Sequence, residues 1–263
     1  MQHITSRQNA VVKEYREAAR GDATSTMLLD GPRLIGEALD AGIRLQHLMV
    51  GADVLERPDV ARLLQHTEAE HVTIASASSA VMDAVSPVQT TSGMVALASR
   101  PPLDVSPYTA DDALVAIVCD MQNPGNVGAI IRVAEAAGAH AVVVAGQSAD
   151  PFGWKALRGS MGSALRLPIS IAEDARDAVK DAKAHGASVV ATVPRDGVMP
   201  DAANFRGRVA LLIGGEGLGL TPDTLDHADQ RVSIPMQAPV ESLNAAVAAA
   251  VLLYEARRQR TVR

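Results

Sequence analysis

An α/β fold in two parts, the second built on a mostly parallel sheet, is what this chain of 263 residues predicts. Three observations carry the prediction. Short β-branched runs alternate with helix-period segments along the whole chain, the order expected when strands and helices pack in layers. The run ALVAIVCD at 113–120 is almost continuously apolar, as a central parallel strand with both faces covered has to be. The stretch RPPLDVSPYTADD at 100–112 holds three prolines and neither period, and so reads as a linker. The predicted division is therefore 1–99, a linker at 100–112, and 113–263.

In the first part, residues 5–20 read as a helix with Thr5 or Ser6 as N-cap. Met27 to Leu29 form a strand, Asp30-Gly-Pro a turn, and Leu34, Ile35, Ala38 and Leu39 a helix that Gly42 ends. LQHLMVG is a strand, 58–69 a helix, HVTIAS a strand, SSAVMDAVSP a short helix and SGMVALAS a strand. In the second part the strand 113–120 leads through the loop MQNPGNVG to the helix AIIRVAEAAG and the strand AHAVVVAG. A polar stretch rich in Gly and Ser follows, then a strand at Pro168 to Ile171, a helix at 174–185, and the strands ASVVATVP and RVALLIGG. The final helix starts near Glu241, Ser242 and Asn244. Its apolar residues Leu243, Val247, Val251 and Tyr254 recur at helical spacing and are expected to be its buried face.

Composition narrows the function. The chain is 48% hydrophobic but only 2% aromatic, so Ala, Val and Leu must fill the core and a platform of stacked aromatics for nucleic acid is short of residues. A formal net charge of −6 excludes a general basic coat but leaves room for local basic patches. The one cysteine, Cys119, lies in an apolar run and reads as a buried strand residue of a cytoplasmic protein. The N-terminal stretch is charged and does not read as a signal peptide, and the longest apolar run is too short for a bilayer, so no membrane partner is expected. The seven histidines show no metal-ligand spacing, so no metal is expected.

Three loops following strands are the candidates for chemistry, because a parallel sheet gathers its ligands at the carboxyl ends of its strands. Asn123-Pro-Gly-Asn-Val-Gly128 leads to Arg132; Asn126 could cap the helix, and Arg132 could face the same opening. Gly214-Gly-Glu-Gly-Leu-Gly219 packs glycines around one carboxylate, Glu216, without the spacing of a P-loop or a dinucleotide fingerprint. The third runs from Ser233 to Asn244, where Pro235 and Pro239 hold the chain out of helix. Each could also be an ordinary capped turn. Arg158 lies in the polar stretch and could equally be a solvated arginine.

In this order the three loops resemble the signature motifs of the SpoU/TrmH family of RNA ribose 2′-O-methyltransferases, in the SPOUT superfamily. NPGNVGAIIRVAEAAG is similar to the first motif, LLIGGEGLGL to the second and VSIPMQAPVESLNAAVAAAVLLYEARRQR to the third. The first hundred residues, from ITSRQNAVVK through LLDGPRLIGEALDAG, resemble the family's small RNA substrate-binding domain more loosely. The resemblance implies S-adenosyl-L-methionine as cofactor, a ribose 2′-hydroxyl as acceptor, and a trefoil-knotted C-terminal domain working as a homodimer through its last helix. It implies cofactor contacts at Thr192, Gly214, Ile234 and Leu243. It implies catalytic or positioning roles for Asn126, Arg132, Glu216, Ser242 and Asn244, and RNA contacts at Arg33, Arg132 and Arg158. Arg7, Lys13, Arg16, Lys155 and Arg166 join these as basic residues for local RNA contacts. The expected substrate is 23S ribosomal RNA, because the appended domain resembles a ribosomal-RNA module. The alternatives are a transfer-RNA ribose methyltransferase and a catalytically silent RNA-binding or ribosome-assembly protein. The chain departs from the family at Ala238, where glycine is common, at Asp30-Gly31, and at the turn Thr90 to Gly93.

Overall fold

The structure, a computed structural model, describes residues 1–69, 72–103, 106–217 and 219–261. In chain order its elements are β1 (Gln2–Ile4), α1 (Ala10–Arg20), β2 (Thr26–Asp30), α2 (Pro32–Asp40), β3 (Leu45–Gly51), α3 (Pro58–Ala69), β4 (Thr73–Ala77), α4 (Ser79–Val85) and β5 (Met94–Ser99). Then come β6 (Leu114–Cys119), α5 (Pro124–Ala137), β7 (Ala141–Ala145), α6 (Trp154–Ser160), β8 (Ile169–Ala172), α7 (Ala175–Ala184), β9 (Ser188–Thr192), β10 (Val209–Gly214), α8 (Pro222–Asp226), β11 (Gln230–Val232) and α9 (Ala245–Thr261). His71 in the expected strand HVTIAS, linker residues 104 and 105, and Leu218 in the glycine loop lie outside the described residues.

The chain packs as two units. The first is Met1–Pro102 with Phe152–Leu165, and the second is Leu103–Pro151 with Arg166–Arg263. The segment 152–165, which the sequence leaves inside 113–263, thus belongs with the first unit.

The first unit holds a mixed sheet of order β1-β4-β3-β5-β2, in which β1, β4 and β3 run parallel while β5 is antiparallel to both β3 and β2. Its core joins Val12 and Tyr15 of α1 to Met49, Leu97, Val81 and Met82, with Trp154 of α6 packed against them. The buried Tyr15 hydroxyl donates to the Val95 carbonyl at 3.4 Å, and burial drives its pKa upward. The first helix begins at Ala10, not near residue 5. Asn9 caps it, its side chain accepting from Val11 N–H, and Gln2–Ile4 form a strand. β1 is too short to show a period, and only its pairing with β4 creates it.

The second unit holds six parallel strands in the order β11-β9-β10-β6-β7-β8. β6 lies inside the sheet, paired with β10 on one side and β7 on the other, and all six of its residues are buried. Alternate residues Val115, Ile117, Cys119, Val143, Val189 and Leu212 join Ala178, Val179 and Ala182 of α7 in one core. α5 and α9 pack on each other, with α5 contacting β7 and α9 contacting β10.

Several expectations change. α5 begins at Pro124, so NPGNVG is its first turn rather than a loop. Asn123 caps it through a 2.8 Å bond from Gly125 N–H, not Asn126. The Gly- and Ser-rich stretch contains α6, held by buried Ala156 and Leu157. α8 and β11 were not anticipated. The final helix starts at Ala245, and Leu243, Val247, Val251 and Tyr254 are exposed, not buried. Ala246, Ala249, Leu252, Leu253 and Ala256 are its inner face.

Candidate active site

The carboxyl ends of β9, β10 and β11 surround a cavity of about 570 Å³. Thr192, Val193 and Pro194 form one wall, and Ile213 to Gly217 with Gly219 and Leu220 form the floor. Ile234, Met236 and Ser242 to Ala245 close the other side. Its size lies within the roughly 300–1,000 Å³ range of sites that bury a drug-sized molecule. The lining is largely apolar, with a few polar groups converging at one edge.

The glycine loop shapes the floor by folding back on itself, with Gly215 and Gly219 bridged antiparallel. A Cβ on Gly214 would stand 2.7 Å from the Gly219 carbonyl carbon and the Leu220 nitrogen. The backbone can therefore make this return only without a side chain at 214.

The polar edge is a hydrogen-bonded chain across three distant parts of the sequence. Asn244 precedes α9, and its Oδ1 accepts from the N–H groups of Ala246 and Val247 at 2.9 and 3.3 Å. This is an N-cap, and it satisfies amides that a helix start leaves without partners. The Nδ2 of the same side chain donates to Asn126 Oδ1 at 3.1 Å. Asn126 Nδ2 in turn donates to Glu216 Oε1 at 2.5 Å. Each amide thus uses both ends, and the chain terminates on a carboxylate at the cavity.

Thr192, Gly214, Ile234, Leu243, Glu216, Ser242 and Asn244 all line the cavity. Asn126 is joined to it through Glu216 and Asn244. Arg132 stands exposed on α5 and is not among the lining residues. Arg33 and Arg158 belong to the first unit. Arg33 shares a surface hollow with Arg62, His66, Glu37, Asp40 and Asp59, and Arg158 is exposed in the last turn of α6. Arg166 is held by Glu135 through two bonds of 2.8 and 3.0 Å, while Arg7 and Arg16 donate to the Ala80 and Ala84 carbonyls.

Sequence reasoning missed Met236 and the helix residues Ala245, Ala248 and Leu252 on the cavity wall. Their spacing of three and four marks one helix face, but small residues gave it no contrast.

Ala238 precedes a cis proline, Pro239, in the exposed part of the loop and does not line the cavity. Among the described residues no group of three or more His, Cys, Asp or Glu could hold a metal ion.

Comparison with known proteins adds to this geometry. Residues 113–254 match the model of the SpoU rRNA Methylase family, and residues 12–96 match the MRM3-like substrate binding domain. The 23S rRNA (guanosine(2553)-2′-O)-methyltransferase RlmP of Bacillus subtilis (strain 168) is 30% identical over 264 residues, covering 98% of this chain and 100% of its own. The crystal structure of an RNA 2′-O ribose methyltransferase superposes with a TM-score of 0.84 at 35% identity, over 99% of this chain and 100% of that one. An AdoMet-bound rRNA methyltransferase from Sinorhizobium meliloti superposes with a TM-score of 0.85 at 29% identity, over 98% of each chain.

Proposed function

The chain belongs to the SpoU rRNA methylase family, and from that premise we propose that it transfers a methyl group from S-adenosylmethionine to a ribose 2′-hydroxyl of 23S ribosomal RNA. The observation that carries the reading is the Asn244–Asn126–Glu216 chain at the edge of the strand-end cavity. The Bacillus subtilis relative matched along its full length is a 23S rRNA methyltransferase, which favours that substrate over transfer RNA.

The cavity fits the cofactor. Its volume, its apolar walls and the side-chain-free return at Gly214 allow backbone to close around a nucleoside-sized molecule. Thr192, Gly214, Ile234 and Leu243 would hold it, with Met236 and Ala248 adding apolar wall. Bound there, S-adenosylmethionine supplies a methyl group already activated on a sulfonium. What remains for the protein is to orient a ribose hydroxyl and to help its proton leave. Ser242 and Glu216 face the cavity and can hydrogen-bond the ribose. Asn126 and Asn244 hold Glu216 in one orientation. Arg132 positions the RNA phosphate or ribose, since a guanidinium holds its proton too tightly to serve as a base.

The exposed Leu243, Val247, Val251 and Tyr254 form an apolar stripe at the start of α9, and this stripe is the surface through which two copies pair. The first unit reads the RNA, and Arg33 and Arg158 contribute contacts there. No helix among the described residues is long and apolar enough to cross a membrane, and the cytoplasm is the assigned compartment.

Calorimetry with S-adenosylmethionine tests the cofactor, and saturable binding is expected. Mass mapping of ribose methylation in ribosomal RNA from cells with and without the gene tests the activity. One 2′-O-methyl mark should disappear with the gene, and an unchanged map would overturn the reading.

A further inference from the structure

We propose that Asp120 is a positioning residue for methyl transfer, fixing the loop that carries Glu216 against the helix that carries Asn126. The assignment rests on the function proposed above. Asp120 follows β6 directly and takes a φ of 52°, a left-handed conformation that among the described non-glycine residues it shares with Met161 and Asp196. The residue is exposed, so burial does not force it there. Its contacts do.

Its N–H donates to the Ala145 carbonyl at 3.1 Å, and its Oδ1 accepts from Gln147 N–H at 2.9 Å. A Cβ on Gly146 would lie 2.3 Å from that same Oδ1, so the carboxylate fills the space that glycine leaves. The next residue continues the seam. Met121 N–H donates to Ser148 Oγ at 3.0 Å, and its carbonyl accepts from Ala149 N–H at 2.8 Å. On its other side, the Asp120 carbonyl stands where a Cβ on Gly215 would lie only 2.1 Å away. Two glycines are thus closed to any side chain by one aspartate.

Its place in the chain connects this to the chemistry. Three residues beyond Asp120, Asn123 caps α5, and Asn126 sits in the first turn. The residue after Gly215 is Glu216. A shift of Asp120 therefore moves both ends of the Asn126–Glu216 hydrogen bond. The carboxylate's hold on Gln147 N–H keeps the residue in its left-handed conformation and, through it, sets that bond.

Three variants separate the hydrogen bond from the backbone shape. Asp120→Asn keeps the acceptor oxygen and tolerates a positive φ. Asp120→Gly tolerates the φ but loses the acceptor. Gly146→Ala pushes the carboxylate off its partner from the other side and also strains a backbone at φ 65°, so it serves as the reading, with its melting beside its activity, if the glycine variant does not fold. Methylation of unmodified 23S rRNA and S-adenosylmethionine calorimetry are measured for each, with melting as the check on folding. We expect Asp120→Asn to keep kcat. Asp120→Gly should lose about tenfold to a hundredfold in kcat, the scale of a small misplacement of reacting groups. Its cofactor Kd should stay within about threefold, well under 1.4 kcal/mol. Combined with Glu216→Gln, it should add little to the loss from Glu216→Gln alone. Full activity in Asp120→Gly, loss of activity in Asp120→Asn, or additive losses in the double variant would each overturn the assignment. If the parent chain neither binds cofactor nor methylates RNA, the functional reading has failed first and this assignment falls with it.

Discussion

Asn244 serves two structures with one amide. Its oxygen caps α9 and its nitrogen starts the hydrogen-bonded chain to Glu216. The two roles are separable because aspartate caps a helix as well as asparagine but has no N–H to give. Asn244→Asp should melt within a degree or so of the parent but lose most methylation. Asn244→Ala should lose methylation and also about 1 kcal/mol of stability. Equal melting of all three chains would show that the cap carries no weight. Arg132 is a different case. It stands on the same helix as Asn126 but outside the cavity, so Arg132→Ala should abolish methylation and leave cofactor binding nearly untouched. A fully active Arg132→Ala would remove its positioning role. Cys119, by contrast, has no part in the chemistry. Burial, with the neighbouring Asp120 charge, pushes its thiol up to about 12.

Elements were legible in the sequence where burial contrast was strong. β6, β7, β9 and β10 carry continuous apolar runs, and each appears as a buried parallel strand. α9 shows the opposite. Leu243, Val247, Val251 and Tyr254 have the bulk and spacing of a core stripe, yet they face outward. The inner face is built from Ala246, Ala249 and Ala256 beside Leu252 and Leu253, small residues that let α9 approach α5 closely. A helix apolar on several faces does not declare which one is inside. The capping asparagine of α5 was more readable than the motif suggested. Proline favours the first helical position, so Pro124 points back to Asn123 rather than forward to Asn126. α6 was hidden because its glycine and serine carry little helical preference, and its burial comes from contacts distant in sequence.

The far end of α9 is anchored by polar rather than apolar groups. Buried Gln259 accepts from Phe205 N–H at 3.1 Å and donates to the Ala203 carbonyl at 2.9 Å. Arg260 donates to the carbonyls of Phe205, Gly207 and Asp112. Gln259→Leu strands two buried backbone groups at about 1–3 kcal/mol each, and thermal unfolding should show the loss. A second measurable effect comes from Glu255. Its hydrogen bond from Arg258 holds the carboxyl below its ordinary range, against a smaller opposing effect of burial and with help from Gln259. A depressed carboxylate adds stability above its unfolded pKa of about 4.3, and that stability is lost as pH falls through the folded value. The pair is largely open to solvent at Arg258, so screening by water and salt keeps its contribution small. Glu255→Gln should flatten the acid limb of a melting-temperature profile below pH about 4.3 and leave its shape at neutral pH unchanged.

At the scale of the whole molecule, the outward stripe of α9 makes the assembly testable. Tyr254→Asp combined with Val251→Asp places two charges on an exposed face and leaves the inner face alone. Sedimentation should then report one copy where the parent chain reports two, with melting of the single copy still cooperative. A parent chain that sediments as one copy would remove the pairing proposal. The two-part architecture was legible from the proline-rich stretch and from the continuously apolar strand that follows it. The destination of residues 152–165 was not, because it depends on packing between segments more than a hundred residues apart.

That segment also imposes an order of events. The first unit is discontinuous: α6 is part of it, yet β6, α5 and β7 are interposed in the chain. During synthesis, the leading hundred residues leave the ribosome without α6, whose Trp154 packs against their core and whose Leu157 is buried. They can finish folding only after residue 165 has followed, when half of the second sheet's central strands already exist. The module that the resemblance assigns to RNA reading is therefore complete only once the chain has run through β6, α5 and β7, later than a plain N-terminal domain would be, yet before β9, β10, β11 and α9 of the other unit have been made.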